Sequence, residues 1–130
     1  MLYSRLGWLN VFFYAILTAP YWLVLINKKY WQIKDRRFAE LVKYLRQIHK
    51  PLAVFLIFLA LLHGYFALGG FQLHTGSLVF FSLFLTAIMG GGFYQTKKKN
   101  FFVLHKGLAL LTGLVLLLHL FLPGLFSGLF

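Results

Sequence analysis

The sequence contains no cysteine and only two acidic residues, Asp35 and Glu40. Without cysteine the chain cannot form disulfides, bind an iron–sulfur cluster through thiolates or attach a c-type haem covalently. Two carboxylates also leave little material for general acid–base catalysis by a carboxylate pair. These absences remove several kinds of site chemistry, and they direct attention to the hydrophobic residues that make up 61% of the chain.

Four apolar stretches approach or exceed the length that a helix needs to cross about 30 Å of hydrocarbon. They lie at about residues 6–26, 49–68, 75–94 and 101–122. None shows the alternation of a strand, and only helices or closed barrels satisfy the backbone in lipid. The sequence therefore predicts an all-α integral membrane four-helix bundle that forms a single domain over residues 1–130. We expect the first stretch to be a retained helix, because a strong basic cluster follows it.

Twelve of the thirteen Lys and Arg residues lie in two regions that four spans would place on the same side of the membrane. They are Lys28, Lys29, Lys34, Arg36, Arg37, Lys43, Arg46 and Lys50, followed by Lys97, Lys98, Lys99 and Lys106. The positive-inside rule makes this side cytoplasmic and puts both termini and the loop 69–74 outside. Topology and contact with anionic lipid therefore explain the net charge of +11 better than nucleic-acid binding does.

The polar stretch at residues 31–50 predicts an amphipathic helix at the cytoplasmic interface, between the first and second spans. Its apolar residues recur at helical spacing, at Phe38, Leu41, Val42, Leu45 and Ile48. Pro51 has no N–H to donate to Gln47, so we expect a bend near His49. Such a bend would let this helix lie along the membrane while the second span crosses it.

Four histidines form two pairs with the same spacing. His49 and His63 are fourteen residues apart, and so are His105 and His119. Fourteen residues of helix make about 3.9 turns, so each pair shares one face, with its members about 21 Å apart along the axis. In a four-span topology the second and fourth spans run in the same direction. His49 and His105 would then lie near the cytoplasmic face, and His63 and His119 near the outer face.

An internal repeat sets these histidines apart from chance. Seven of the fifteen positions from 49 to 63 recur at an offset of fifty-six, from 105 to 119. Matches of Leu and Ala arise from the composition of membrane helices alone. The His-Lys start and the His end of each copy do not, so the ends of the repeat carry its information.

Histidines in a membrane also hydrogen-bond between helices, or lie at the interface without binding a ligand. Ionisable groups at depth are costly, however, and they usually serve a function. Neutral imidazole is a good axial ligand for haem iron, and two imidazoles leave the iron no open position. We therefore predict two b haems, one between His49 and His105 and one between His63 and His119, and a function in transmembrane electron transfer.

Glycines in the third span have the same interval as the histidines. Gly76 and Gly90 are fourteen residues apart, at the outer and inner histidine levels. A flat porphyrin needs a neighbouring helix without a side chain, although glycine also serves simple helix packing. We keep both interpretations for Gly76 and Gly90, and we give the haem role less weight at Gly113.

Haem propionates need cationic or hydrogen-bonding partners near the two interfaces. For the inner haem the candidates are Arg46, Lys50 and Lys106, each within about one turn of a ligand. For the outer haem they are Arg5, Gln72, His74, Tyr3 and Ser4. His74 could instead relay a proton to a quinone, or lie in the interface, which is the simplest interpretation.

The His-Lys-x-Leu-Ala openings at His49 and His105, with histidines fourteen apart on two parallel spans, resemble the di-haem cytochrome b superfamily. The resemblance covers about residues 43–122 and is greatest to small bacterial four-helix b-type cytochromes and the ferric reductase-like transmembrane domain. It implies that His49, His63, His105 and His119 are axial ligands in a prokaryotic cytoplasmic membrane. The sequence shows no flavin or nicotinamide domain, so the expected electron donor is quinol or a partner protein.

Two other functions are compatible with the sequence. The chain could be the haem-bearing anchor subunit of a larger oxidoreductase, with the basic residues 31–50 as its docking surface. It could also be a metal-ion transporter or sensor that uses the histidines directly. Transporters usually place acidic groups within the membrane, and this chain has none there.

Overall fold

The computed structural model describes residues 2–70 and 72–125, which form α-helices, one π-helical turn and no strand. The helices are α1 (Leu2–Ile26), α2 (Arg36–Leu68), α3 (Thr75–Thr96) and α4 (Lys99–Phe121), and the π-helical turn Asn27–Trp31 continues α1. Phe71, in the predicted outer loop 69–74, lies outside the described residues. The all-α prediction with four long helices is confirmed.

All four helices are long and apolar enough to cross a membrane, with the π-helical turn included in the first span. Large apolar side chains on their surfaces are extensively exposed, with exposed fractions of 71% at Val54, 69% at Leu110 and 78% at Phe121. Contiguous apolar surface of this kind is rare on proteins surrounded by water. By length and composition these four helices could span a membrane, as the helices of multi-pass membrane proteins do.

The region around Pro51 differs from the prediction. In place of an interfacial helix followed by a separate span, α2 is a single helix of 33 residues with Pro51 in its interior. Proline removes one backbone hydrogen bond from a helix, and in apolar helices neighbouring groups commonly compensate for that loss. α1 accommodates Pro20 in the same way. Of the predicted apolar face, Val42 is buried, whereas Leu41 is 47% exposed.

The chain divides into two compact units at Ala60 of α2, where the sequence predicts one domain. In the first unit α1 packs against α2, and the rings of Phe13 and Phe55 meet edge to face with centroids 5.4 Å apart. In the second unit α3 and α4 form a closely packed antiparallel pair. The buried residues of this pair include the hydroxyl side chains Thr75, Ser82, Thr86 and Thr112.

The ends of the helices are fixed by local hydrogen bonds. α2 ends at Leu68, and the φ of 66° at the following Gly69 and its N–H bond to the Tyr65 carbonyl (2.9 Å) are typical of a glycine C-cap. α3 begins after His74, whose backbone N–H donates to the Ser77 hydroxyl at 3.2 Å. Six residues separate α2 from α3. Thr75 and Gly76 lie in the first turn of α3.

One stripe of α2 carries both of its histidines. Val42, His49, Leu56 and His63 follow one another at intervals of seven residues, which is close to two helical turns. Val42 and Leu56 are 7% and 1% exposed, and both histidines are half-buried. Both histidines therefore lie on the more buried side of α2, away from its exposed apolar side chains.

Candidate functional site

His119, in the last turn of α4, is held by the first residue of α3. Its Nδ1 lies 2.8 Å from Oγ1 of Thr75, and the same oxygen lies 2.9 Å from the backbone carbonyl of Pro123. A carbonyl only accepts, so the single hydroxyl hydrogen of Thr75 is donated to Pro123. The hydroxyl oxygen must then accept from His119, which places the hydrogen of the imidazole on Nδ1. Thr75 is fully buried.

His105 is oriented by the middle of α3. Its Nδ1 lies 2.8 Å from the backbone carbonyl oxygen of Thr86, which can only accept. The Thr86 hydroxyl donates to the Ser82 carbonyl at 2.7 Å and also lies 3.2 Å from the Thr112 hydroxyl. The carbonyl that accepts the hydrogen bond from His105 therefore belongs to a buried residue, whose side chain is itself held by hydrogen bonds.

His49 has an equivalent arrangement within the first unit. Its Nδ1 lies 3.1 Å from the backbone carbonyl oxygen of Leu17 on α1, and Leu17 is itself buried. As with His105, the partner is an acceptor, so His49 carries its hydrogen on Nδ1. α1 contributes no histidine, but it sets the tautomer of one.

The three arrangements share one chemical consequence. When Nδ1 of a neutral imidazole carries the hydrogen, the lone pair belongs to Nε2. Histidines that bind metals almost always donate the other ring N–H to a carbonyl, carboxylate or water, which fixes the ring and raises its basicity. His49, His105 and His119 each donate Nδ1–H in this way, so the ring lone pair of each belongs to Nε2.

His63 and His119 lie side by side in the second unit. Their ring centroids are 6.5 Å apart and their planes are inclined by 73°. A metal–imidazole bond is about 2 Å long and the nitrogen is about 1 Å from the ring centre, so two imidazoles on opposite sides of one ion have centres about 6 Å apart. An edge-to-face ring contact has a similar separation. The spacing fits a ring contact and also fits two histidines that would hold one ion, to which the tautomer of His119 would offer the lone pair of Nε2.

Two glycines of the third span, Gly76 and Gly90, face histidines of α4. A Cβ atom on Gly76 would lie 3.3 Å from Cε1 of His119, and one on Gly90 would lie 2.9 Å from Nδ1 of His105. The structure thus matches Gly76 to the predicted outer level and Gly90 to the inner level. What each glycine touches is the imidazole ring itself, and clearance of a haem stays a prediction.

The remaining predicted site residues have varied surroundings. Nδ1 of His74 lies 3.4 Å from Thr75 Oγ1, beside the partner of His119. Lys106 is exposed, and its ammonium group lies 4.8 Å from the ring centroid of Phe102. In the first unit, Lys50 is exposed, and Arg46 lines a groove between the last turn of α1 and the first turns of α2. Roles toward haem propionates stay predictions for all four.

Sequence reasoning overlooked the partners of the histidines. Thr75 is a hydroxyl residue in an apolar span, one position before Gly76, and that proximity was an available signal. The carbonyls of Leu17 and Thr86 left no signal, because every residue has one.

Within residues 2–70 and 72–125, no three His, Cys, Asp or Glu side chains lie close enough together to hold a metal ion. A tetrahedral zinc site takes three or four protein ligands. A haem differs, since its porphyrin supplies four ligands and the protein only the axial ones.

Comparison with known proteins found no matching family model, no matching curated protein and no matching solved structure.

Proposed function

We propose that this protein carries electrons across a membrane through two b haems, each bound by two histidines. His63 and His119 form the outer site, and His49 and His105 form the inner site. Electrons are exchanged with quinone or a partner protein, in a prokaryotic cytoplasmic membrane with both termini outside. The two basic regions face the cytoplasm.

The observation that supports the proposal most strongly is the shared hydrogen-bond pattern of the histidines. His49, His105 and His119 each donate Nδ1–H to an oxygen of a neighbouring helix, at 3.1, 2.8 and 2.8 Å. The same tautomer at all three histidines leaves each ring lone pair on Nε2. Neutral imidazole in this form is the species that would bind haem iron.

Two observations support the inner site: the sequence repeat, and the hydrogen bonds that orient the rings of His49 and His105 separately. His49 and His105 open the two copies of the repeat with the same His-Lys-x-Leu-Ala segment. Each is oriented by a carbonyl within its own unit, Leu17 for His49 and Thr86 for His105. Pairing them leaves His63 with His119, which is the pair whose rings are adjacent in the second unit.

The residues divide the work of the site. The four histidines would hold two haems, and each haem would supply one-electron transfer when bound. The histidines hold the group, and Thr75, Thr86 and Leu17 keep the imidazole rings from rotating. Gly76 and Gly90 let α3 approach the rings of α4 closely. The apolar helices exclude water from both levels.

The proposal is tested by counting haem in the purified protein. The chain is expressed with haem available, purified in detergent and analysed by its pyridine haemochrome spectrum against protein concentration. We expect about two b haems per chain, because four axial ligands serve two irons. A folded, helical preparation that binds no haem would overturn the proposal, and one haem per chain would overturn its two-site form.

Replacing Thr75 with valine is expected to weaken binding at the outer site by about ten- to a hundredfold, the usual effect of losing a partner of a metal-bound histidine. Valine has nearly the same shape but leaves Nδ1–H of His119 and the Pro123 carbonyl without their common partner. Haem titration of the apoprotein measures the change. Thr75→Ser keeps the hydroxyl and should bind almost normally, and equal affinities of the two variants would contradict this role.

An alternative is that the chain is the haem-bearing anchor of a larger oxidoreductase. The observation that favours it is the exposed basic surface on the first turns of α2, where Arg36, Arg37 and Lys43 all face outward. Affinity purification from native membranes discriminates the two functions. A soluble redox subunit recovered in stoichiometric amount would favour the anchor, and a haem protein recovered by itself would favour the autonomous carrier.

A further inference from the structure

A groove in the first unit lies between the last turn of α1 and the first turns of α2. Its volume is about 510 Å³. Val24 from α1 and Phe38 and Val42 from α2 give it apolar walls, and Lys43, Arg46 and Gln47 line it with polar groups. This volume is within the range of small-molecule sites, about 300–1,000 Å³, and far exceeds the needs of a bare phosphate.

The charges around the groove are almost all positive. Lys43 and Arg46 are three residues apart, so they lie on one side of α2. The two carboxylates of the chain are engaged elsewhere: Glu40 pairs with Arg36 at 2.8 Å, and Asp35 accepts from the backbone N–H of Arg37 at 3.0 Å. Within residues 2–70 and 72–125, neither Lys43 nor Arg46 takes part in an ion pair.

Aromatic residues place the groove at the level of lipid headgroups. Tyr30 and Trp31 follow the apolar part of α1 and are 68% and 53% exposed. Tyr and Trp concentrate where the hydrocarbon of a bilayer meets its headgroups. Val24 is one to two turns before them, on the hydrocarbon side. The groove thus lies where acyl chains begin, with apolar walls and cations within reach of the same lipid.

We propose that this groove binds an anionic phospholipid. The lipid phosphate contacts Lys43 and Arg46, the amide of Gln47 donates to the ester region, and the first acyl carbons pack against Val24, Phe38 and Val42. Basic pockets on the cytoplasmic side of membrane helices recognise anionic headgroups by this combination of charge and apolar surface. The proposal involves no haem, so it stands or falls separately from the proposed function.

The test is a titration of the full chain in detergent with phosphatidylglycerol, read as lipid adducts by native mass spectrometry. Phosphatidylcholine with the same acyl chains is the neutral control. The variant Lys43→Gln/Arg46→Gln should raise the Kd for phosphatidylglycerol about ten- to thirtyfold, from about a tenfold effect or less for each cation. The matched variant Lys98→Gln/Lys99→Gln removes the same charge from the other basic region and should change the Kd little.

Three results would overturn the proposal. Equal weakening by the two double variants would show attraction by net charge alone, and equal binding of phosphatidylcholine would show that charge plays no part. Competition by millimolar inorganic phosphate, with no effect of Phe38→Ser on phosphatidylglycerol binding, would show an anion site that does not use the acyl chains. Selective loss with Lys43→Gln/Arg46→Gln and with Phe38→Ser supports the lipid site.

Discussion

Replacing His119 with alanine is expected to lower the haem content from about two per chain to about one, with the inner haem retained. His119 is a proposed outer ligand, and the buried Thr75 hydroxyl accepts its Nδ1–H. The ring is only half-buried, so its removal leaves most of the α3–α4 packing in place. Pyridine haemochrome analysis of the detergent-purified variant measures the change, and circular dichroism verifies that it is still helical.

His74→Ala is the matched control for this experiment. It removes an imidazole that also lies near Thr75, at 3.4 Å, but that is not a proposed ligand. Two haems per chain are therefore expected, and addition of free imidazole to the His119→Ala protein should restore part of its missing haem. Full haem content in His119→Ala would show that His119 is not a ligand. Loss of both haems from a helical preparation would show that the two sites are not independent.

Substituting alanine for Gly90 is expected to remove the inner haem while the outer one stays. The new Cβ would lie 2.9 Å from Nδ1 and 3.0 Å from Cε1 of His105, closer than real Cβ contacts allow. The imidazole must move, and its 2.8 Å hydrogen bond to the Thr86 carbonyl would be lost. Overpacking of this kind costs about 1–3 kcal/mol, before any loss of haem affinity is counted. Haem content and thermal unfolding of the apoprotein measure the two effects separately.

Neighbouring glycines provide graded controls. A Cβ on Gly91 meets nothing within 4 Å, so Gly91→Ala should keep both haems and gain a little helix stability. Gly92→Ala would press on the Phe101 ring at 2.8 Å, which should destabilise the α3–α4 pair without touching a histidine. Gly76→Ala, at 3.3 Å from His119, should have a smaller effect than Gly90→Ala. If Gly90→Ala and Gly91→Ala retained equal haem, the packing argument would be wrong.

The sequence predicted the helices and the match of Gly76 and Gly90 to His119 and His105 because both depend on period and length. Apolar runs long enough to cross a bilayer specify helices almost by themselves. Since α3 and α4 are joined by a short turn and run antiparallel, equal intervals of fourteen residues place Gly76 against His119 and Gly90 against His105. No side-chain detail is needed for that registration.

The details around the histidines could not be predicted in the same way. The continuity of α2 through Pro51 depends on whether neighbouring groups compensate for one lost hydrogen bond, which the sequence does not state. The partners of His49 and His105 are backbone carbonyls, and any residue could have supplied them. Only Thr75 had a distinctive side chain, and its role depends on the position of the Pro123 carbonyl, forty-eight residues away.

α3 carries no proposed ligand, yet it touches both histidines of α4 at once. In the first turn of α3, Thr75 and Gly76 contact His119. About three to four turns later along α3, Thr86 and Gly90 contact His105. One inserted residue between these groups would rotate everything beyond it by about 100° and shift it by about 1.5 Å. Over this stretch the helix can exchange outward-facing side chains freely, but its length is fixed, and insertions or deletions are the changes it tolerates least.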